Sequence, residues 1–240
     1  MMTATAALVD DLAPTGSLRA AINLGNPVLA QGTPADPTGV TVDIAREVAR
    51  RLDVPVEFVC FDAARKSFEA ITAGRADIGF LAIEPVRAAE VAFTPPYAVI
   101  EGVFAVPDDS ALRSMPEVDR AGVRIGVKEG SAYDLFLTRT LAHATLVRGP
   151  EGSEVFLSEG LEAGAGIRQP MTAFVAAQPG VRLVDEAFMQ IQQAMSTRKD
   201  RAPETLELLA SLIEELKTSG FIADALERSG QDAGLVAPPA

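Results

Sequence analysis

Gly79–Tyr97, GFLAIEPVRAAEVAFTPPY, is the stretch of sequence that indicates the fold most clearly. Its first residues belong to an apolar strand predicted over Ile78–Ile83, and the chain then turns at Glu84. Because the proline that follows suits the first position of a helix, Arg87 is predicted to lie in a short helical turn beyond the strand. Open α/β sheets bind ligands beyond the carboxyl ends of their strands, where a guanidinium can hold a carboxylate. The alternative for Arg87 is a surface ion pair with Glu84 or Glu90.

Length, composition and charge restrict the class of protein. The chain has 240 residues, 48% of them hydrophobic, and can therefore bury the core of one large domain or two small ones. Its net charge of −12 disfavours a phosphate backbone as a partner, so nucleic acid is excluded. No apolar run approaches the roughly 18 residues that span a bilayer, so no direct membrane insertion is predicted.

Apolar periodicity in the first 83 residues predicts two helices alternating with three strands. A flexible leader is expected before Leu18. The predicted elements are a strand over Leu18–Ile22, a helix opened by Gly39–Asp43 with Thr41 as its N-cap, a strand over Val54–Val59, a helix over Lys66–Ala73 and the strand over Ile78–Ile83. This alternation favours a parallel sheet flanked by helices.

A second α/β unit is predicted beyond Tyr97. Strands are expected over Val99–Val106 and Val123–Val127 and near Thr145–Arg148, Ala163–Gly166 and Val181–Val184; helices are expected over Ala132–Ala142, near Ser153–Ser158 and Met171–Ala177, and in the tail over Pro203–Lys217 and to about Arg228. Ser131 with Asp134 three positions later predicts a capping box at one helix start.

The order of a Gly-Arg-Ala-Asp turn at Gly74–Asp77, an apolar strand, Arg87, Glu90–Thr94 and Pro96-Tyr97 resembles the family 3 solute-binding proteins, the amino-acid receptors of ABC importers. The resemblance extends from about Gly16 to about Gly230. It implies an α/β, two-lobed, periplasmic-binding-protein-like (type II) fold, each lobe a mixed, mostly parallel sheet flanked by helices, joined by a two-stranded hinge. We expect one lobe to comprise residues 1–98 and 195–240 and the other residues 99–194, with hinge closure trapping a ligand.

The resemblance also implies which residues bind the ligand. Arg87 corresponds to the family's clamp for the ligand α-carboxylate. Asn26 stands where the family has an aromatic residue that stacks on the ligand. Ser131 begins a helix where the family has Gly-Thr-Thr, so it either helps backbone N–H groups to bind an anion or only caps its helix.

Arg168 is the largest departure from the family, which places at this position an Asp that accepts the ligand ammonium. A guanidinium about 4 Å from an ammonium is opposed by about 4 kcal/mol at an effective dielectric constant of about 20. We therefore hypothesise that Arg87 and Arg168, one from each lobe, clamp an anionic ligand without an α-amino group, such as a dicarboxylate. The alternative is that Arg168 pairs with Glu162 or another carboxylate.

Further ligand-binding candidates are Ala82, Lys66, Glu84 and Gln169, and Glu101 could accept ligand hydrogen bonds or tether an arginine. No catalytic residue, metal ligand or cofactor is predicted, because the sequence has no metal-ligand cluster, serine elbow or P-loop. The alternative function is a cyclohexadienyl-dehydratase-like enzyme with Glu84 or Glu101 as general acid. The single cysteine, Cys60, is predicted to be a small buried residue rather than a reactive thiol.

The expected partners are a small-molecule carboxylate and an ABC transporter permease, and the family implies a monomer in the periplasm. However, the residues before Leu18 have no basic segment and only a short apolar patch, which does not predict a secretory signal. A cytoplasmic location, and with it a ligand-sensing module without a transporter, therefore stays open.

Overall fold

A computed structural model describes residues 5–240, and the chain divides into two units. The first unit comprises the residues up to 99 together with 192–240, and the second comprises residues 100–191. The strands are β1 (Leu18–Asn23), β2 (Gln31–Thr33), β3 (Asp36–Thr38), β4 (Val56–Phe61), β5 (Ile78–Ala82), β6 (Val91–Pro107), β7 (Arg124–Lys128), β8 (Thr145–Gly149), β9 (Ala163–Ile167), β10 (Val181–Leu183) and β11 (Met189–Arg198). The helices are α1 (Ala6–Leu12), α2 (Val40–Leu52), α3 (Ala64–Thr72), α4 (Pro85–Ala88), α5 (Met115–Val118), α6 (Ala132–Thr140), α7 (Gly152–Ser158), α8 (Arg168–Ala177), α9 (Pro203–Thr218) and α10 (Phe221–Arg228), followed by a 3-10 turn over Ala233–Leu235. Strands β6 and β11 carry the chain from one unit to the other.

The sheet of the first unit has the strand order β4-β1-β5-β11. β1 runs parallel to β4, from Leu18 opposite Val56 to Asn23 opposite Phe61, and parallel to β5. β11 pairs with β5 in the antiparallel direction. The carboxyl ends of β1, β4 and β5 therefore lie along one edge of the sheet, where ligands of such sheets bind.

Strand β5 is buried along its whole length, and helix α3 packs closely on one of its faces. Gly79 makes this approach possible, because a Cβ at that position would lie 2.4 Å from Cδ1 of Ile71 in α3. On β5 Phe80 meets the ring of the fully buried Tyr97 edge to face. The sequence around Arg87 is thus anchored by a strand that is fixed on both faces.

In the second unit, β7 pairs in parallel with β8 and β9, and β6 pairs antiparallel with β9 and β10. The largest core cluster of this unit includes Phe104, Ile125, Val127 and Leu137. The carboxyl ends of β7, β8 and β9 lie along one edge, which carries the starts of α6 and α8.

An ion pair lies at the amino-terminal edge of each sheet, where the parallel strands begin. In the first unit, the fully buried carboxylate of Asp77 accepts hydrogen bonds from Arg19 backbone N (2.9 Å), Nε (3.0 Å) and Nη2 (2.8 Å). Arg201 Nη2 donates a further bond to Asp77 at 3.2 Å. In the second unit, Glu162 accepts bonds from Arg124 backbone N (2.8 Å) and Nε (3.0 Å).

Three local predictions differ from the structure. The expected flexible leader is helical over Ala6–Leu12, because Leu12 is fully buried and the chain folds back onto α9. Thr41 is not an N-cap: Gly39 holds that position with φ 106°, and the Thr41 hydroxyl donates to Leu29 O at 3.1 Å. The hairpin of β2 and β3 was not predicted. The predicted flexible leader also includes residues 1–4, which lie outside the described residues.

Candidate functional site

Arg87 lies just beyond the carboxyl end of β5, in the short helix α4. Glu84 precedes that helix and Pro85 occupies its first turn, as the sequence predicts. The Arg87 backbone N donates to Glu84 O at 3.0 Å, and its Nη1 donates to Ala82 O at 3.3 Å. Only 3% of the residue is exposed. The alternative prediction, that Arg87 forms an ion pair at the surface, is therefore wrong.

Arg87 and Glu84 both lie in the low-dielectric interior of the first unit. Burial lowers the pKa of Arg87 to about 10, and the negative charge of Glu84 opposes that shift. Glu84 is itself buried, with 2% exposure. Arg87 is therefore a cation at neutral pH, and Ala82 contributes only its backbone carbonyl to the group.

Asn26 and Lys66 lie at the same edge of the first unit. Asn26 is buried, and its Oδ1 accepts a bond from Val28 N at 3.3 Å, so its side chain stabilises the loop after β1. Lys66 occupies the third position of α3 and forms an ion pair with Asp62 at 2.7 Å. This pair offsets the unfavourable position of a cation near a helix N-terminus.

Ser131 caps helix α6 in the second unit. Its Oγ accepts a bond from Asp134 N at 3.0 Å, as the predicted capping box requires. The Asp134 carboxylate accepts its bond from Gly130 N at 2.9 Å rather than from Ser131 N, which donates to Lys128 O at 3.1 Å. Asp134 is buried and also pairs with Arg148 at 3.0 Å. Because a carboxylate already occupies this helix end, the capping reading of Ser131 is the better supported of the two.

Arg168 is the first residue of α8, which begins three residues earlier than predicted. Its Nε donates to the carboxylate of Glu101, and its Nη2 donates to Asp185 O at 3.1 Å. The carboxylate partner is thus Glu101 and not Glu162, which pairs with Arg124. About a third of each side chain is exposed, 31% for Arg168 and 36% for Glu101.

Two further polar side chains are wholly or partly buried: Gln169, which the sequence suggested as a ligand-binding residue, and Gln193, which it did not. Gln169 Oε1 is buried and has no hydrogen-bond partner within the described part of the chain. Gln193 was missed by the sequence analysis: it is 6% exposed and lies opposite Ala82 in the pairing of β11 with β5. The available signal was weak, because Gln193 follows the exposed Gln190 and Gln192 in the same strand and does not stand out from them in the sequence.

Three further observations concern metal ligands, membrane-spanning helices and the single cysteine. Within residues 5–240, no three or more His, Cys, Asp or Glu side chains are grouped so that they could hold a metal ion. No helix in the same range combines the length and the apolar character needed to cross a bilayer. Cys60 is half-buried rather than buried, and burial raises the pKa of its thiol, which disfavours a reactive thiolate.

Comparison with solved structures defines the class of fold. The structure is similar to a mutant of ArgBP from T. maritima, with a TM-score of 0.75 and 23% identity over 93% of this chain and 99% of that chain. It is similar to AbpA of Streptococcus pneumoniae bound to L-arginine, with a TM-score of 0.75 and 19% identity over 94% and 99% of the two chains. A third similar structure is the ancestral amino acid-binding protein AncCDT-1, a precursor of cyclohexadienyl dehydratase, with a TM-score of 0.74 and 23% identity over 92% and 97%. These likenesses confirm a type II periplasmic-binding-protein fold.

The family follows from the sequence. Residues 18–231 match the bacterial extracellular solute-binding proteins, family 3, and the chain belongs to this family. No curated protein matches the sequence. The family is the one that the stretch around Arg87 indicates.

Proposed function

We propose that this protein binds a small carboxylate-containing solute, encloses it by closure of its two-stranded hinge, and delivers it to an ABC importer. The observation that carries the proposal is the buried cation of Arg87 beyond the carboxyl end of β5. Membership of the solute-binding family supports the transport role. Similar structures include proteins described as bound to L-arginine and to lysine, both of which carry an α-carboxylate.

Arg87 is suited to a carboxylate for a physical reason. Removing a guanidinium from water is costly, and an anion that approaches it in the low-dielectric interior offsets that cost more strongly than it would in water. The planar group can also donate two parallel hydrogen bonds to one carboxylate, which fixes the orientation of the ligand. That the ligand is an acid without an α-amino group stays a prediction.

The experiment is a thermal-shift panel on the purified protein. It pairs each amino acid with its amine-free acid and adds dicarboxylates and prephenate-like acids. A ligand at about 100 times its Kd stabilises by about 2.7 kcal/mol, which raises the unfolding midpoint by roughly 5–10 °C for a chain of this size. A response confined to amine-free acids supports that prediction, and a response to ordinary amino acids contradicts it.

The role of Arg87 is tested with two substitutions and a matched control. Arg87→Lys keeps a charge but loses the two-pronged geometry, and Arg87→Ala removes the charge. Loss of a buried charged partner costs about 2–5 kcal/mol, so the affinity should fall at least about 30-fold. The control is Arg50→Ala, which alters an exposed arginine in the last turn of α2 and should leave the affinity unchanged. Unchanged affinity in both Arg87 variants contradicts the proposal.

One observation favours a second function, an elimination enzyme of the cyclohexadienyl-dehydratase kind. Glu84 is a buried carboxyl group beside Arg87, and burial is what a general acid in such a reaction requires. If the protein is such an enzyme, a prephenate-like acid is consumed, and Glu84→Gln abolishes turnover while the protein still binds the acid. Binding without turnover in the unaltered protein excludes this function.

We further propose that the protein works outside the cytoplasmic membrane, because an importer receives its cargo on that side. As the family resemblance implies, we propose that it is a monomer. Cell fractionation with an antibody to the protein tests the location. Recovery in the cytoplasm would instead favour the ligand-sensing module without a transporter.

A further inference from the structure

A cavity of about 560 Å³ opens beside β10, a strand of three residues at the edge of the second unit's sheet. Among the described strands, β10 pairs only with β6. Val181, Arg182 and Leu183 all line the cavity. Because the side chains of a strand point alternately to its two faces, a cavity that contacts all three residues lies along the unpaired edge of the strand. Every residue that lines it belongs to the second unit.

The unpaired edge of β10 presents backbone hydrogen-bonding groups. Asp108 N donates to Gly180 O at 3.0 Å, and Val184 N donates to Phe104 O at 2.8 Å. Hydrogen-bonded and non-hydrogen-bonded pairs alternate along antiparallel strands, so Val181 directs its N–H and C=O away from β6. An extended chain in the cavity would therefore meet a donor and an acceptor of the kind that a further strand uses.

Two arginines of the cavity wall lie side by side. The guanidiniums of Arg113 and Arg182 both donate to Ser110 O and to Leu112 O, the Arg182 bonds being 2.9 and 2.8 Å long. Nε of Arg182 is buried and has no hydrogen-bond partner in the described part of the chain. Neighbouring cations repel each other, and within residues 5–240 neither arginine has an ion pair with a carboxylate. An anionic group bound beside them would offset this repulsion.

The remaining wall of the cavity is partly anionic and partly aliphatic. Asp108 and Asp185 are exposed carboxylates, and neither forms an ion pair in residues 5–240, so both can accept hydrogen bonds from an ammonium group. Val175, Val181 and Leu183 form an aliphatic surface that packs on a buried cluster. The volume lies in the range of small-ligand sites, about 300–1,000 Å³.

We propose that this cavity binds a short peptide, which lies extended along β10 as an additional strand. Its backbone pairs with Val181, its terminal carboxylate binds at Arg113 and Arg182, and its terminal ammonium lies at the aspartates. An aliphatic side chain of the peptide packs on the valines and the leucine. A peptide carries all four kinds of group in one molecule, whereas an inorganic anion or a simple amine carries one. The site does not involve Arg87 and does not rest on the proposed function.

The probe is the tripeptide Ala-Val-Ala, titrated into the full chain by isothermal titration calorimetry. Three modified forms each remove one proposed interaction: N-acetylation removes the ammonium, C-terminal amidation removes the carboxylate, and N-methylation of the amides removes the N–H donors. Each modification should weaken binding about tenfold. Absence of binding by the unmodified tripeptide, or equal affinity for all four forms, overturns the proposal.

Substitutions assign these effects to side chains. Arg113→Gln should weaken binding of the free peptide about tenfold and leave that of the amidated form unchanged, because the amidated form has no carboxylate to lose. Asp108→Asn combined with Asp185→Asn should abolish the advantage of the free peptide over the acetylated one. The control is Arg120→Gln, an exposed arginine of the same unit that does not line the cavity, and it should change neither affinity.

Arg87→Ala separates this site from the one proposed for the solute. Binding of Ala-Val-Ala should be unchanged in this variant, whatever the thermal-shift panel shows for small acids. Loss of peptide binding in Arg87→Ala, with full binding in Arg113→Gln, would mean that the peptide occupies the solute site and would overturn the inference. Failure of every small acid to bind, with peptide binding retained, refutes only the proposed function.

Discussion

The two sheets offer a matched test of how burial changes the contribution of an ion pair to stability, because Asp77 and Glu162 form the same kind of pair in different surroundings. Each carboxylate accepts hydrogen bonds from the backbone N–H and the guanidinium of an arginine near the start of a parallel strand, Arg19 in β1 and Arg124 in β7. The Asp77 side chain is 0% exposed and its partner Arg19 is 22% exposed. The corresponding values for Glu162 and Arg124 are 39% and 43%.

The expected magnitudes follow from this difference in burial. Asp77→Asn removes the charge that balances both Arg19 and Arg201, and turns an amide N–H₂ towards groups that only donate. Loss of one partner from a buried pair costs about 3–5 kcal/mol, so the first unit should lose that much free energy of unfolding. Glu162→Gln breaks a solvent-screened pair and should cost the second unit about 0–1 kcal/mol.

The chain provides its own probes for this assay. It contains no Trp and two Tyr residues, of which Tyr97 lies in the first unit and Tyr133 in the second. Urea unfolding followed by tyrosine fluorescence therefore reports on the first unit in a Tyr133→Phe background and on the second unit in a Tyr97→Phe background. Equal losses for Asp77→Asn and Glu162→Gln would refute the argument from burial.

Four further changes have outcomes that the structure determines. Tyr97→Phe removes a fully buried hydroxyl without a hydrogen-bond partner in residues 5–240, so in urea unfolding the stability should be unchanged or higher by up to about 1 kcal/mol. Thr197→Val, which breaks a 2.7 Å bond to a backbone carbonyl, should lower it by about 1 kcal/mol. Gly79→Ala places a methyl group 2.4 Å from a side chain of α3 and should cost about 1–3 kcal/mol, measured by thermal unfolding. Hydrogen bonding to Arg50 lowers the pKa of Glu47 from 4.5 to about 2, so its stabilisation is present above about pH 4.5 and is lost as the pH falls towards 2. Glu47→Gln should remove about 1–2 kcal/mol of that pH dependence, and an unchanged acid titration of stability would contradict the assignment.

Most strands and helices could be predicted from the sequence because their periodicity is local, but the strands β2, β3 and β11 were not. β5 is a run of apolar residues, and α9 begins and ends within a residue of the predicted Pro203–Lys217. Helix α1 could not be predicted, because it is short and depends on distant partners: Asp11 accepts bonds from Ala202 N and Thr205 Oγ1. Such contacts have no periodicity in the sequence.

The positions of Arg87 and Arg168 could be predicted, and so could one of the two roles suggested for Glu101, that of tethering an arginine. Arg87 and Arg168 were identified as cations at strand ends, and both lie there. The partner of Arg168 is 67 residues away in the sequence, and only the register of β6 with β9 brings Glu101 to it. The sequence could therefore suggest Glu101 as a partner for an arginine, but it could not say which arginine.

The charge pairs bear on how the proposed recognition of an anionic ligand would work. The net charge is −12, so the overall field repels an anionic ligand, and the three predicted cations Arg87, Lys66 and Arg168 each have a carboxylate of their own unit nearby. Long-range attraction therefore contributes little to binding, and what distinguishes Arg87 is its burial and the fixed direction of its donors. Under the proposed function, selectivity for a carboxylate would therefore depend on hydrogen-bond geometry at the buried Arg87 rather than on an excess of positive charge.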